Sequence, residues 1–412
     1  MRKFKIIVII IIIFFSNFVV AQTNGFVNNG LIINIESGAY INVGDFTNNQ
    51  TSGTDGSINI DGNLIVNGNF ANNSGGNVFS NIEPVPDGNI ILAGFNQSIL
   101  GTTPIFFENL EIQNALKTLS LNNCEVKGIF TVDGVLELNS NKLIIDNKNT
   151  DAISYNSGYI KSESTPQDGL GEIEWKIGNT IGSFDVPFGS GSGSNDLNLV
   201  LNTKTAADPQ DGSVVFATYP TDGHNKPYPD GILSLDTLEP KNLADRYWEL
   251  KPVFTTKPDV TISFKYTPED IDATDNPDLI EANLMAIRYN DLLYKWIDMR
   301  MTGICDVANK TVTTGDISGN NFFSYWDLSE FELKAPNAFT PDDNGKNDVF
   351  LKGYEVKIFN RWDEKIYEGK DGWDGTYNGK KVSRGTYYYI AVIPSYNNTT
   401  KTITGVITLV SK

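Results

Sequence analysis

One phrase recurs three times near the start of the chain and limits the folds open to it. Gly25-Phe26-Val27-Asn28-Asn29 is followed by Gly44-Asp45-Phe46-Thr47-Asn48-Asn49 and then by Gly68-Asn69-Phe70-Ala71-Asn72-Asn73, with starts 19 and 24 residues apart. Alternating segments fill the intervals, among them Leu31-Ile32-Ile33-Asn34-Ile35 and Ile58-Asn59-Ile60-Asp61-Gly62-Asn63-Leu64-Ile65-Val66. Several short strands per period of this length mark a solenoid, in which each coil leaves a row of inward apolar residues that only the next coil covers. Asn suits the corners, because it tolerates left-handed backbone angles, and its amides stack in ladders. Phe46 and Phe70 hold the same place in the phrase, so both are expected to point inward and stack coil over coil. The pulses continue through Leu110 and Ile112, Leu119 and Leu121, Val126, Ile129 and Val132, then Leu136, Leu138, Leu143 and Ile145, with Cys124 as one more inward small residue. Residues 22–150 therefore read as a β-solenoid, right-handed and β-helix-like. An ordinary β-sandwich with Asn-rich turns is the alternative.

Residues 1–21 have the order of a secretory signal peptide. Arg2, Lys3 and Lys5 precede an unbroken apolar run from Ile6 to Phe15, and Val19-Val20-Ala21 supplies small residues before Gln22. Ten uninterrupted apolar residues fall short of the roughly 20 that a bilayer-spanning helix needs. Cleavage is expected after Ala21, and no later stretch is long enough to span a membrane as a helix. Removing the three basic residues takes the net charge from −18 to −21. A surface this acidic repels nucleic acid and anionic lipid. Hydrophobic residues make up 40% of the chain, enough for packed cores and too many for a disordered protein. Cys124 and Cys305 lie far apart and read as buried, unpaired small hydrophobes. The one histidine, His224, sits in a Gly- and Pro-rich stretch and is expected on a surface loop.

Residues 151–332 are denser in aromatics. Candidate strands such as 171–177, 184–188, 197–201, 214–219, 246–250, 260–266, 284–289 and 322–328 are split by Asp-Gly turn signals, which reads as a β-sandwich. Pro268 to Asn283 has room for one short helix. Trp175, Trp248, Trp296 and Trp326 read as core anchors. Residues 333–412 form a third texture, a small antiparallel sandwich of alternating segments between Gly and Asn turns. They open on Ala335-Pro336-Asn337-Ala338-Phe339-Thr340-Pro341, followed by Asp342-Asp343-Asn344-Gly345-Lys346-Asn347-Asp348-Val349-Phe350. Then come Val356-Lys357-Ile358-Phe359-Asn360-Arg361-Trp362, the turn Gly372-Trp373-Asp374-Gly375, and Gly385-Thr386-Tyr387-Tyr388-Tyr389.

As an ordered series, these motifs resemble the gliding-motility-associated C-terminal domain, the type B sorting signal of type IX secretion cargo, over residues 335–412. The resemblance implies an Ig-like sandwich and a sorting role carried by Asn337, Phe339, Pro341, Gly345, Asn347, Asp348 and Phe350. It extends that role to Asn360, Arg361 and Trp362, to Trp373, Asp374 and Gly375, and to Gly385 and Tyr387. The family usually has Asn-Gly-Asp-Gly where this chain has Asp342-Asp343-Asn344-Gly345, and often Gly at the position of Asp363. The middle stretch is similar to a module that often precedes such domains, through Val186-Pro187-Phe188-Gly189 and Phe323-Ser324-Tyr325-Trp326; no function is defined for that module.

Chemistry-bearing constellations are sparse. The loop from Thr340 to Asp348 concentrates oxygen side chains, and Asp342, Asn344 and Asp348 are the candidate calcium ligands; a solvated Asx-rich turn needs no ion. Lys and Arg are nearly absent from residues 22–116, which disfavours lyase chemistry along a solenoid face. No catalytic residue is assigned and no cofactor is expected. The resulting expectation is a non-enzymatic protein exported through Sec to the periplasm and then, by the type IX machinery of the outer membrane, to the cell surface or medium. It would act as an adhesin-like or structural passenger on an undefined surface ligand, a glycan or a cell. The alternative is a secreted carbohydrate-binding or carbohydrate-active protein.

Overall fold

The computed structural model describes residues 25–79, 87–121, 123–165, 168–191, 195–207, 212–229, 232, 243–272, 279–290, 295–297, 303–319, 324–330, 335–342, 347–395 and 399–410. The expected signal peptide lies outside them. Among the described residues the chain is all β, apart from two single 3-10 turns at Glu269–Ile271 and Glu281–Asn283, where one short helix was expected.

A β-solenoid of about six turns spans residues 26–161. The coils stack short parallel segments on three faces, and on the second face the coil that begins with Phe70–Asn73 is joined, among the described residues, by an isolated bridge between Ile58 and Phe79. The first face stacks Phe26–Asn29, Phe46–Thr51, Phe70–Asn73, Gln97–Gly101, Leu116–Leu119, Val135–Glu137 and Tyr159–Lys161. The repeated phrase is in register there, Phe26 opposite Phe46 opposite Phe70. Phe46 and Phe70 are 1% and 0% exposed, and their rings stack 5.0 Å apart. The inward stacking expected from the phrase is present.

The Asn residues of the phrase do more than turn corners. Asn28, Asn48 and Asn72 point inward and are buried, and their amides hydrogen-bond from coil to coil. Asn28 Nδ2 donates to Asn48 Oδ1 at 2.9 Å, and Asn48 Nδ2 donates to Asn72 Oδ1 at 3.0 Å. Asn29, Asn49 and Asn73 form a parallel ladder on the outside. The corners themselves use left-handed Asn96, Asn114, Asn123 and Asn139 in later coils. Where the ladder ends, Asn72 faces Gly101, which holds φ +139°; a Cβ there would lie 2.0 Å from the Asn72 carbonyl oxygen.

A third face stacks Tyr40–Val43, Asn63–Val66, Asn89–Leu92, Asn109–Ile112, Phe130–Val132 and Ile153–Tyr155, and on it Leu64, Ile90, Leu110, Phe130 and Ile153 form one inward column. Phe130, not Ile129, takes the inward place in that coil, because strand parity sets it beside Val132. Cys124 is buried in line with Leu143, and burial pushes its thiol up to about 11. Cys305 is unpaired as expected but only half-buried. It lies 3.2 Å from the Glu281 carbonyl and 3.5 Å from the Tyr266 hydroxyl, so it is a polar contact and not an apolar filler.

The second face carries the chain into its middle part. Phe106–Phe107, Cys124–Val126, Lys142–Ile145 and Glu172–Trp175 run parallel, and Glu172–Trp175 then pairs antiparallel with Ser213–Pro220. The sheet continues through Arg246–Val253, Ser324–Glu330, Leu284–Asn290 and Lys295–Ile297 to nine strands. A second sheet of five strands faces it: Ser183–Val186, Leu199–Thr203, Val260–Lys265, Thr311–Thr314 and Gly303–Asp306. Edge-on Trp175–Phe184 and Trp248–Phe264 contacts and a tilted Phe264–Trp326 contact join the two layers. Those three tryptophans are core residues, and the core is continuous with that of the solenoid. The Trp296 side chain lies outside what is described.

The last part has its own core. Ala338–Phe339, Thr399–Leu409, Gly385–Ser395, Glu355–Phe359 and Lys365–Gly369 form a five-stranded sheet, with a small hairpin of Thr376–Tyr377 and Lys380–Lys381. Phe339, Phe350, Trp373 and Tyr389 pack on its inner side, an arrangement consistent with a small sandwich.

Candidate functional site

The sorting-motif residues divide into two groups with different physical roles. Phe339, Phe350, Trp373 and Tyr387 are buried and touch one another through ring contacts of 4.9–6.1 Å. Trp373 Nε1 donates to the Thr376 carbonyl at 2.9 Å, and Asp374 Oδ1 accepts from the Thr376 N–H and hydroxyl, which closes the turn. Gly375 completes it at φ +77°, where a Cβ would press on Leu409 and Pro341. Gly385 opens the long hairpin at φ +141°. Asn337 is exposed and its carbonyl accepts from the Thr408 N–H, pinning the first strand. This group builds the domain.

The second group is presented to solvent. Asn360, Arg361 and Trp362 cap the hairpin between Glu355–Phe359 and Lys365–Gly369. Asn360 Oδ1 accepts from the Trp362 and Glu364 N–H groups, each at 3.0 Å, and its Nδ2 donates to Glu364 Oε2 at 2.9 Å. Asp363, standing where the related domains often have Gly, takes φ +62°, a region short polar side chains enter more readily than others. Trp362 is 74% exposed, and the Arg361 guanidinium lies over its ring at 4.6 Å. Beside the turn is a shallow depression of about 400 Å³ lined by Phe359, Asp363, Tyr388 and Val406. Phe359, Tyr388 and Val406 are cross-strand neighbours on the outer side of the sheet. Sequence motifs alone gave Trp362 and Trp373 equal standing; Tyr388 lay within a quoted motif but was given no role, and Val406 carried no motif signal, although alternation with the inward Tyr387, Tyr389 and Ile407 places both outside.

The acidic loop closes with its own groups. Asp348 Oδ1 accepts the Asp342 N–H at 2.9 Å, and the Thr340 N–H donates to the Asn347 carbonyl at 2.9 Å. Asn344 and Gly345 lie outside the described residues. No group of three or more His, Cys, Asp and Glu among the described residues is placed to hold a metal ion. His224 is exposed on its loop.

A cluster outside the sorting domain combines acids and bases. On the outer side of the second face, Glu125 and Asp146 from adjacent coils share a hydrogen bond between Lys127 and Lys176. Burial, with the Asp146 contact behind it, raises the Glu125 carboxyl, while Asp146 is held down at about 2 by its contact with Glu125 and by the two ammonium groups. Lys142 with Glu172 and Glu174, and Lys251 with Glu172 and Glu249, continue the series across the junction with the middle sheets. Glycosidase carboxyl pairs stand at least about 5 Å apart to admit a sugar or water. A pair in direct hydrogen-bond contact leaves no such room, and the arrangement ties coils together.

Charge separates the parts of the chain. Residues 333–409 hold 11 basic and 9 acidic residues, a net of +2, whereas residues 22–332 hold 17 basic and 41 acidic, a net of −24. Residues 333–409 match the family described as the CHU_C type IX secretion signal domain. The comparison with curated proteins found no match for the chain. The last domain is thus a type IX sorting domain, and it supports export of the chain as cargo of that pathway, to the cell surface or the extracellular space.

Proposed function

We propose that the chain is a non-enzymatic surface or released protein in which the solenoid and middle sandwich are an adhesive or structural passenger and residues 333–412 are its export label. The observation that carries this reading is the division of the molecule. The matched domain keeps a hydrophobic core of its own, while solenoid and sandwich share another. A label that packs separately can be read, and removed, without disturbing what it carries. The passive role of the passenger is supported by the engagement of the Glu125, Lys127, Asp146 and Lys176 cluster in contacts between coils. Asn ladders through the first coils and paired charges between later ones tie neighbouring coils into a regular surface, suited to matrix or cell contact. Passage through Sec is expected to precede the type IX step, with the apolar N-terminal run as its signal.

The test is export of a chain ending at residue 332 in a host with a type IX system. The shortened protein is expected to accumulate in the periplasm; its normal appearance at the surface refutes the label. The passenger role is checked separately by screening the purified protein for turnover of polysaccharides and for binding to cells and glycans. Turnover would replace the passive reading with a carbohydrate-active one.

A further inference from the structure

The exposed turn of the sorting domain is fixed by its own side-chain and backbone groups. One Asn side chain makes three hydrogen bonds to fix it, and a non-Gly residue occupies the left-handed region to close it. What the turn presents is a Trp ring covered by a guanidinium, neither of which belongs to the domain core. Arg361 forms no ion pair with another described residue. Beside it, Tyr388 and Val406 are 55% and 50% exposed, so the apolar row continues from the turn across the outer sheet face.

We infer that the Arg361-Trp362 turn and the adjoining Phe359, Tyr388 and Val406 depression are the face by which the secretion machinery captures the domain, through a protein surface that offers carboxylates around an apolar insert. This rests on reading residues 333–412 as the export label. Trp, Tyr and Arg are the residues that anchor protein interfaces, and an exposed guanidinium fits a carboxylate bidentately. The charge contrast supplies the choice of partner. An acidic receptor repels a passenger of net −24 and accepts a domain of net +2, so it selects the label from the cargo.

The experiment compares surface display of the full chain, the chain ending at 332, and full chains carrying Trp362→Ala, Arg361→Glu or Tyr388→Ser, with the melting midpoint of each purified full chain. Trp362→Ala and Arg361→Glu are expected to cut surface display by about tenfold or more, as loss of an interface anchor does, with unmoved midpoints. If the substituted chains reach the surface normally while the truncated one is held back, the label stands and this face is overturned as its recognition surface. If the truncated chain is also displayed, the export reading itself fails. Normal export with lost glycan binding in Trp362→Ala would assign the turn to a sugar and overturn the inference. Should Trp362→Ala lower the midpoint, Arg361→Glu decides, because its side chain supports no part of the core.

Discussion

Asn48 sits between two copies of itself in the stack. Its oxygen accepts from Asn28, and its amide serves both Asn72 and the Gly56 carbonyl at 2.8 Å. Replacement by Ala removes one partner each from Asn28 Nδ2, Asn72 Oδ1 and the buried Gly56 carbonyl, and Asn48→Ala is expected to cost about 1–3 kcal/mol in denaturant unfolding. Phe70, packed among Phe46, Phe79 and Phe107, should cost more on truncation to Ala, about 3–5 kcal/mol. Glu108 has the opposite character. It is fully buried, with one oxygen accepting from Gly88 N–H at 2.9 Å and the other unpartnered. Burial, with Asp87 and Asp61 adding, raises its carboxyl to about 7 against the usual 4.5, despite the Gly88 bond. An acid raised on folding binds its proton more tightly in the native state. Its stabilising contribution is therefore complete below about 4.5 and lost as pH rises toward about 7. Glu108→Gln keeps the acceptor for Gly88 and has nothing to titrate. The midpoint difference between the Gln variant and the parent should widen in the variant's favour from pH 4.5 to 7; a constant difference would show that Glu108 does not titrate there.

At the scale of elements, the two loops of the sorting domain behave differently. Asp363 holds its left-handed angle without a Cβ-free backbone, so Asp363→Gly should leave stability unchanged or raise it by up to about 1 kcal/mol. Asp363→Val, β-branched at the same angle, should lower it by about 1–2 kcal/mol. Thermal melting of the three proteins checks both. The Asp342 to Asp348 loop already spends an Asp348 oxygen on the Asp342 backbone. Its melting transition is accordingly expected at one midpoint in calcium and in chelator. A rise with calcium would place the ion on Asp342, Asn344 and Asp348.

For the molecule as a whole, the division of cores sets what can be removed. Glu172–Trp175 belongs at once to the parallel stack and to the antiparallel sheet, and Trp175 packs into the facing layer. Solenoid and sandwich are therefore expected to unfold together. Removing residues 333–412 should leave that transition in place and delete a second one, as differential scanning calorimetry of the full and shortened chains would resolve. A downward shift of the remaining transition would show that the sorting domain braces the passenger.

Much of this was legible in the chain itself, because a repeat is local arithmetic. The spacing of Phe26, Phe46 and Phe70 sets coil length, and with Phe inward the period of two sends Asn28, Asn48 and Asn72 inward as well. That the same Asn residues form a buried ladder follows from the parity of the strand, a step beyond assigning Asn to corners. The ordered motifs of the last domain likewise identify it without coordinates. Tertiary structure alone decided the rest. Trp362 ends an alternating segment and Trp373 stands in a Gly turn, and both are motif residues, yet one is 74% exposed and the other fully buried, because only the folded sheet determines which loop faces the core. The pairing of Ile173 with Phe216 and of Trp248 with Trp326 joins segments distant in sequence. Such pairings depend on which apolar faces remain uncovered once the coils have stacked, and no window of the sequence contains that information.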